Sequence, residues 1–254
     1  MKKKLLAIIP AGVMAASLLI GGATYALFTD SATNTGNTFT AGTLTMSTSR
    51  DDIPMAGPMF YTNDNTNGWS GTGLWAPGDS HTRGLFVRNT GSLDGKLATV
   101  SAIAEGSGTQ YSSFESQADV TIAVFAPHGN FDQTAYRQLM QVVDNWYANA
   151  RKNAWTNGIA NVDDYINQSY LHQVFDVKNV LGEDVSASVI EVYNDKLSNL
   201  MSPTDVKTLG ITVPSQETLL MGYTVSLPLT AGNDLQNKTV NFTFQNEFQQ
   251  AKNN

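Results

Sequence analysis

The sequence predicts a mainly β fold, a jelly-roll-like antiparallel β-sandwich with an inserted helical region. Three observations predict it. Runs of alternating apolar residues recur along the chain, and Leu219, Met221, Tyr223, Val225 and Leu227 make the cleanest of them. From Phe131 the apolar period changes from two to about 3.6 and later returns, so helices are enclosed by strands and do not form a second domain. Charged residues are only 15% of the 254 and cysteine is absent, while Thr, Asn, Ser, Gln and Gly are abundant. That lean, polar-neutral makeup suits an extracellular β-protein.

The N-terminal stretch reads as an export signal. Lys2, Lys3 and Lys4 precede an apolar run from Leu5 to Ile20, broken only by Pro10, Gly12 and Ser17. Ala23-Thr24-Tyr25-Ala26 then offers small residues for cleavage after Ala26. The apolar run is short for a membrane span, which needs about 20 residues. Residues 1–26 are therefore expected to be a signal peptide, with Ala26 and Leu27 flanking the cut. Cleavage leaves 228 residues, enough to bury about 70% of their unfolded surface without staples.

Leu27 to Asn37 is too polar to form a core. Only Phe28 and Ala32 share a face at period two. Two readings stand: a loose terminus, or a strand that pairs with a sheet edge outside its own domain. Residues 38–254 are expected to be the sandwich, with the helical insertion at about 128–210. Its first strand begins near Thr38, with Phe39 and Ala41 alternating, Gly42 permitting a bulge, and Leu44 and Met46 continuing.

Arg50 to Asp79 reads as loop, ending in the tight turn Pro77-Gly78-Asp79. Strands follow at Arg83–Arg88, Lys96–Glu105 and Val120–Ala126. Tyr136, Leu139, Met140, Val143, Trp146, Tyr147 and Ala150 then form one stripe of a helix of about 20 residues. Asp132 caps its start, and Arg151-Lys152 complement the dipole at its end. A second helix is expected over Val162–Val174, with Tyr165 and Val174 on its buried side, and a third over Ala187–Leu200. A short helix capped by Ser202, with Pro203 first, is stopped by Gly210. The chain closes on strands at Leu219–Leu227 and Val240–Phe248, each core-facing on one side and polar on the other.

Several of these stretches resemble one family. The Lys-rich start, Gly21-Gly22-Ala23-Thr24-Tyr25-Ala26, Phe28 with Asp30, and Thr38-Phe39-Thr40-Ala41-Gly42-Thr43-Leu44 look like the TasA/camelysin family. Trp75-Ala76-Pro77-Gly78-Asp79 with Phe86-Val87-Arg88-Asn89-Thr90-Gly91-Ser92-Leu93, and Asn237–Phe244, are similar to its later blocks. The resemblance covers roughly the first hundred residues and the last thirty.

It implies a protein exported from a Gram-positive bacterium and processed by a dedicated signal peptidase. It also implies polymerisation into biofilm-matrix fibres, with Leu27, Phe28, Asp30 and Ala32 forming a donor strand that contacts another copy or an accessory fibre protein. Camelysin-like members are catalogued as metallopeptidases, so a secreted or surface peptidase is the rival expectation. An accessory subunit that starts or caps fibres is a third.

Residue chemistry gives the enzyme reading little. The three histidines, His81, His128 and His172, are not at helical spacing, and no His-Glu-x-x-His pair exists. His128 and His172 with Asp163 or Asp164 are the metal alternative the sequence offers. No Gly-x-Ser-x-Gly elbow occurs, and Gly68 to Gly73 lacks the lysine of a phosphate loop. Neither catalytic residues nor a cofactor are therefore expected. The aromatic stripe of the long helix is read as core before a sugar-binding surface. Without residues 1–26, 12 basic residues face 22 acidic ones, a net charge near −10 that disfavours nucleic acid and anionic lipid, so no membrane contact is expected after processing.

Overall fold

The computed structural model describes residues 43–50, 60, 72–235 and 238–251, with side chains left aside at 47–50. The chain divides into two units, residues 1–40 and 41–254, and the description concerns the second. The expected signal peptide, the segment 27–37 and the expected strand positions Phe39 and Ala41 lie outside the described residues.

Among the described residues ten strands and three α-helices follow one another: β1 Met46–Arg50, β2 Ser80–Asn89, β3 Gly95–Ala104, α1 Thr109–Gln117, β4 Asp119–His128, α2 Gln133–Thr156, α3 Val162–Tyr170, β5 Val174–Lys178, β6 Asp184–Lys196, β7 Thr204–Asp205, β8 Thr212–Val213, β9 Thr218–Ser226 and β10 Phe242–Gln250. One sheet runs β1-β2-β9-β4-β6-β5 and the other β10-β3-β7, with β8 also on β3. Every pairing is antiparallel. The chain passes back and forth between the sheets, as a jelly-roll-like sandwich requires.

The layering goes beyond two sheets. Side chains alternate across a strand, and here both faces of the six-stranded sheet are covered. Val120, Ile122 and Val124 of β4, with Met221, Tyr223 and Val225 of β9, share a core with Leu97, Val100 and Ala102 of β3. Ala123 and Phe125 of β4 and Leu220 of β9 pack instead against α2 and α3. Strand β9 was expected to be polar on one side, yet both of its faces are buried, because the helices cover the side that faces away from the second sheet.

Helix α2 begins where its cap was expected, with the Asp132 carboxylate accepting from the Ala135 amide at 2.9 Å. Tyr136, Leu139, Met140, Val143 and Tyr147 are fully buried on its sheet side, each worth about 1.5–3 kcal/mol of burial. The sheet makes room for them. Gly84, Gly222 and Ala123 are register partners across three adjacent strands, a row of small residues under the helix. A Cβ built on Gly84 would lie 2.6 Å from Tyr136 Cζ, and the Tyr136 hydroxyl donates to the Met221 carbonyl at 2.8 Å.

Arg151 is a correction. Expected to complement the dipole at the end of α2, it lies within the helix, which runs on to Thr156, and is 1% exposed. Its Nη1 donates to Asp163 Oδ1 at 2.5 Å and Ser226 Oγ at 2.8 Å, and its Nη2 to the Leu227 carbonyl at 3.1 Å. The Trp155 ring lies 4.8 Å from the guanidinium. One cation thus ties α2 and α3 to the end of β9.

The second half of the expected insertion is strand. Ala187–Leu200 is not a helix: Asp184–Lys196 is β6, hydrogen-bonded to both β4 and β5. The register shift opposite Val124/Phe125 is the physical reason for the misreading, because it moves the alternation out of phase at Ile190. The second helix ends at Tyr170, and Tyr165 and Val174 are exposed. Ser202 caps nothing; Thr204–Asp205 pairs with β3, and Gly210, at φ 72°, stops only a 3-10 turn over Lys207–Leu209. Helix α1 was not expected at all.

Candidate functional site

The five residues to which the sequence assigns function, Ala26, Leu27, Phe28, Asp30 and Ala32, lie outside the described residues. What is described is where the segment that follows them joins the sandwich, and which strand edges the sandwich presents.

The junction is built from two motifs far apart in sequence. Thr43 to Thr45 runs beside the loop Thr90 to Leu93. The Thr90 amide donates to the Thr45 carbonyl at 2.8 Å, and the Ser92 and Leu93 amides both donate to the Thr43 carbonyl at 2.8 and 3.1 Å. The Thr43 amide donates back to Ser92 Oγ at 2.9 Å. Gly91 is required here, since a Cβ on it would stand 2.6 Å from the Thr45 amide nitrogen.

The loop is held from behind by Asn89, which is fully buried. Its Nδ2 donates to the carbonyls of Leu93 (2.8 Å) and Val213 (3.0 Å), and its Oδ1 accepts from the Gly91 amide at 3.0 Å. Gln216 Nε2 donates to the Thr90 and Gly91 carbonyls, Ser215 Oγ to the Gly91 carbonyl, and the Ser215 amide to Asp94 Oδ1. The Asn-x-Gly-Ser-Leu block therefore seats the chain entering β1. Ser215 and Gln216 belong to the same seat; the sequence reading did not single them out, and Pro214 beside them is a turn residue that could have.

The Pro-Gly-Asp turn closes the far end of β2. The Ala76 amide donates to Asp79 Oδ2 at 2.6 Å, the Gly78 amide to the Leu227 carbonyl at 3.1 Å, and the Leu227 amide to the Asp79 carbonyl at 2.9 Å. Gly78 sits at φ 93°, a conformation that glycine adopts freely. Trp75 packs edge-on against His81 and Phe114.

Three strand edges differ in kind. Strand β5 is short, and its outward Lys178 amide is taken by Gln138 Oε1 of α2. Strand β1 has no partner on its outer side among the described residues. Strand β10 is nine residues long and, among the described residues, pairs on one side only, with β3. Its inward Phe242, Phe244 and Phe248 are half-buried, whereas Leu97, Val100 and Ala102 on the neighbouring strand are fully buried. Phe60 leans edge-on against Phe244 at 6.2 Å, and Tyr223 donates from beneath to Asn246 at 2.6 Å.

The histidines are dispersed and engaged separately. His128 Nε2 lies 2.9 Å from Ser188 Oγ, and His172 sits in a turn at φ 70°. Asp163 is taken by Arg151, and Asp164 accepts from Asn161 at 2.5 Å. His81 is half-buried; burial holds its pKa below the ordinary 6.5, against the opposing charge of Asp144. Burial likewise raises Asp144, which accepts from the Thr82 amide at 2.6 Å. Among the described residues no three His, Cys, Asp or Glu side chains come together to hold a metal, so the proposed set of His128, His172 and an aspartate does not fit one. Nor is any described helix long and apolar enough to cross a membrane.

In comparisons with known proteins, residues 1–57 match the family model described as Peptidase_M73, camelysin metallo-endopeptidase. No curated protein matches the chain.

Proposed function

From an N-terminal region that matches the camelysin family model over residues 1–57 and resembles the TasA/camelysin family, we propose that this protein is an extracellular structural subunit that polymerises into fibres by donor-strand exchange. Removal of residues 1–26 frees Leu27 to Asn37, which lies along the outer edge of β10 in the next copy. Phe28 fills the gap beside the half-buried Phe242, Phe244 and Phe248, and Asp30 sets the register. An uncleaved signal holds subunits apart until export. The relation is head-to-tail and does not close, so it gives filaments.

The observation that carries this reading is the state of β10. Its edge is unpaired among the described residues and its inward aromatics are incompletely covered, as expected of a strand awaiting a neighbour. Length agrees: eleven extended residues span about 36 Å, and the nine of β10 about 30 Å. The seat at Asn89 supports it too, because a fixed exit lets the preceding chain be presented in one direction.

The chain has no cysteine, so an engineered pair reports pairing without background. Thr29→Cys, on the opposite face of the donor strand from Phe28, combined in turn with cysteine at the outward positions Thr243, Gln245 or Glu247 should give disulfide-linked ladders of subunits at one position and not the others. No inter-subunit disulfide at any of the three would reject β10 as the acceptor. Stoichiometric zinc with chelator-sensitive cleavage of a protein substrate would instead favour the peptidase reading that the family description carries.

A further inference from the structure

We propose that the groove between α2 and α3 is a binding site for neutral glycan. This site is independent of fibre assembly. The groove has a volume of about 300 Å³, within the range of small-ligand pockets. Its working side chains are Trp146, Asn153 and Asn157 from α2 and its cap, Tyr165 from α3, and Gln173 just beyond it. None of the residues that line it carries a formal charge at neutral pH, on a chain with 37 charged side chains. A charged ligand would find no counter-ion there, and a purely apolar one would leave the amides unpaired.

The arrangement is fixed before any ligand arrives. The Trp146 ring stacks on Tyr170 at 5.0 Å and 28°, and meets Phe175 edge-on at 5.9 Å. The indole is therefore held as a rigid wall while remaining half-exposed. Tyr165 lines the groove at 48% exposure. One Gln173 N–H donates to the Ser169 carbonyl at 2.6 Å, and one Asn157 N–H to the Asn153 carbonyl at 2.9 Å. Each bond orients its amide and leaves a second N–H and an oxygen for another partner. A rigid aromatic face beside oriented amides matches a pyranose ring, whose C–H face is apolar and whose rim of hydroxyls both donates and accepts.

The test is saturation-transfer NMR on the purified full chain. The probes are cellobiose and maltotriose for plain hexose polymers, N,N′-diacetylchitobiose for an amino-sugar wall glycan, and glucuronic acid and a Gly-Ser-Gly peptide as non-members. At least one neutral sugar should bind weakly, and which one binds separates a matrix polysaccharide from a wall glycan as its source. Tyr165→Ala and Gln173→Ala, both at partly exposed positions, should each weaken it about fivefold or more, with an unchanged thermal melt and unchanged fibres by electron microscopy. Trp146→Ala should abolish binding, but its ring also packs in the core, so the two milder variants decide. The proposal fails if no neutral sugar binds at about 10 mM. It also fails if the two variants bind as the parent does, or if only the acid or the peptide binds.

Discussion

Replacing Arg151 with Met keeps the stem and removes the guanidinium. In the parent that group satisfies the Asp163 carboxylate, the Ser226 hydroxyl and the Leu227 carbonyl at once, at 1% exposure. Without it, an aspartate only 25% exposed loses its partner, and two buried oxygens lose theirs. Breaking a buried pair from one side costs about 3–5 kcal/mol, most of it the desolvation of what is left behind. For a domain of this size that is a fall in Tm on the order of 10 °C. Removing both members should cost less than the sum, because Arg151→Met with Asp163→Leu leaves no stranded charge. Urea titration of the two single variants and the double closes the cycle. The reasoning is refuted if Arg151→Met costs under about 1 kcal/mol, or if the double variant is as unstable as the two singles added together.

Three further outcomes follow from the same packing. Gly84→Ala should destabilise by about 2–3 kcal/mol, since its methyl must displace the Tyr136 ring, and Tyr136→Leu should recover part of that loss in a urea cycle. Asn89→Ala strands the Gly91 amide and the Leu93 and Val213 carbonyls; a loss of about 2 kcal/mol is expected, with faster hydrogen exchange at the Ser92 and Leu93 amides that seat Thr43. His81 has a folded pKa below the ordinary 6.5, so the unfolded chain takes up the proton first and stability falls as pH drops below that value. Denaturation at stepped pH should show this slope in the parent and a weaker one in His81→Gln.

Much of the sandwich was legible because β4, β9 and β10 alternate cleanly and α2 carries an unbroken stripe. What was not legible has identifiable causes. The bulge at Ile190 puts Val189, Ile190, Val192 and Tyr193 at spacings that mimic a helix, although three of the four are β-branched and β-branched residues favour strands. Helix α1, Thr109–Gln117, buries no residue fully and offers only Tyr111 and Phe114 as apolar contacts, so its sequence shows no stripe. The third layer was hidden for a different reason: an alternating strand looks the same whether its polar-looking face meets water or a helix. In β9 that face holds Leu220, Gly222 and Thr224, small or neutral residues that α2 covers. Arg151 was illegible because a basic pair such as Arg151-Lys152 near a helix end usually faces solvent. At the junction, the motif Asn89 to Leu93 was visible as a pattern, while its task of gripping Thr43 to Thr45 needed the fold.

The most direct test is negative-stain electron microscopy of the purified chain beginning at Leu27, side by side with one beginning at Thr38. The first should form long unbranched filaments in which subunits repeat head-to-tail, and the second should remain monomeric while melting as a folded domain. Equal filaments from both chains would contradict the account, because the grip between subunits would then owe nothing to the segment that export exposes.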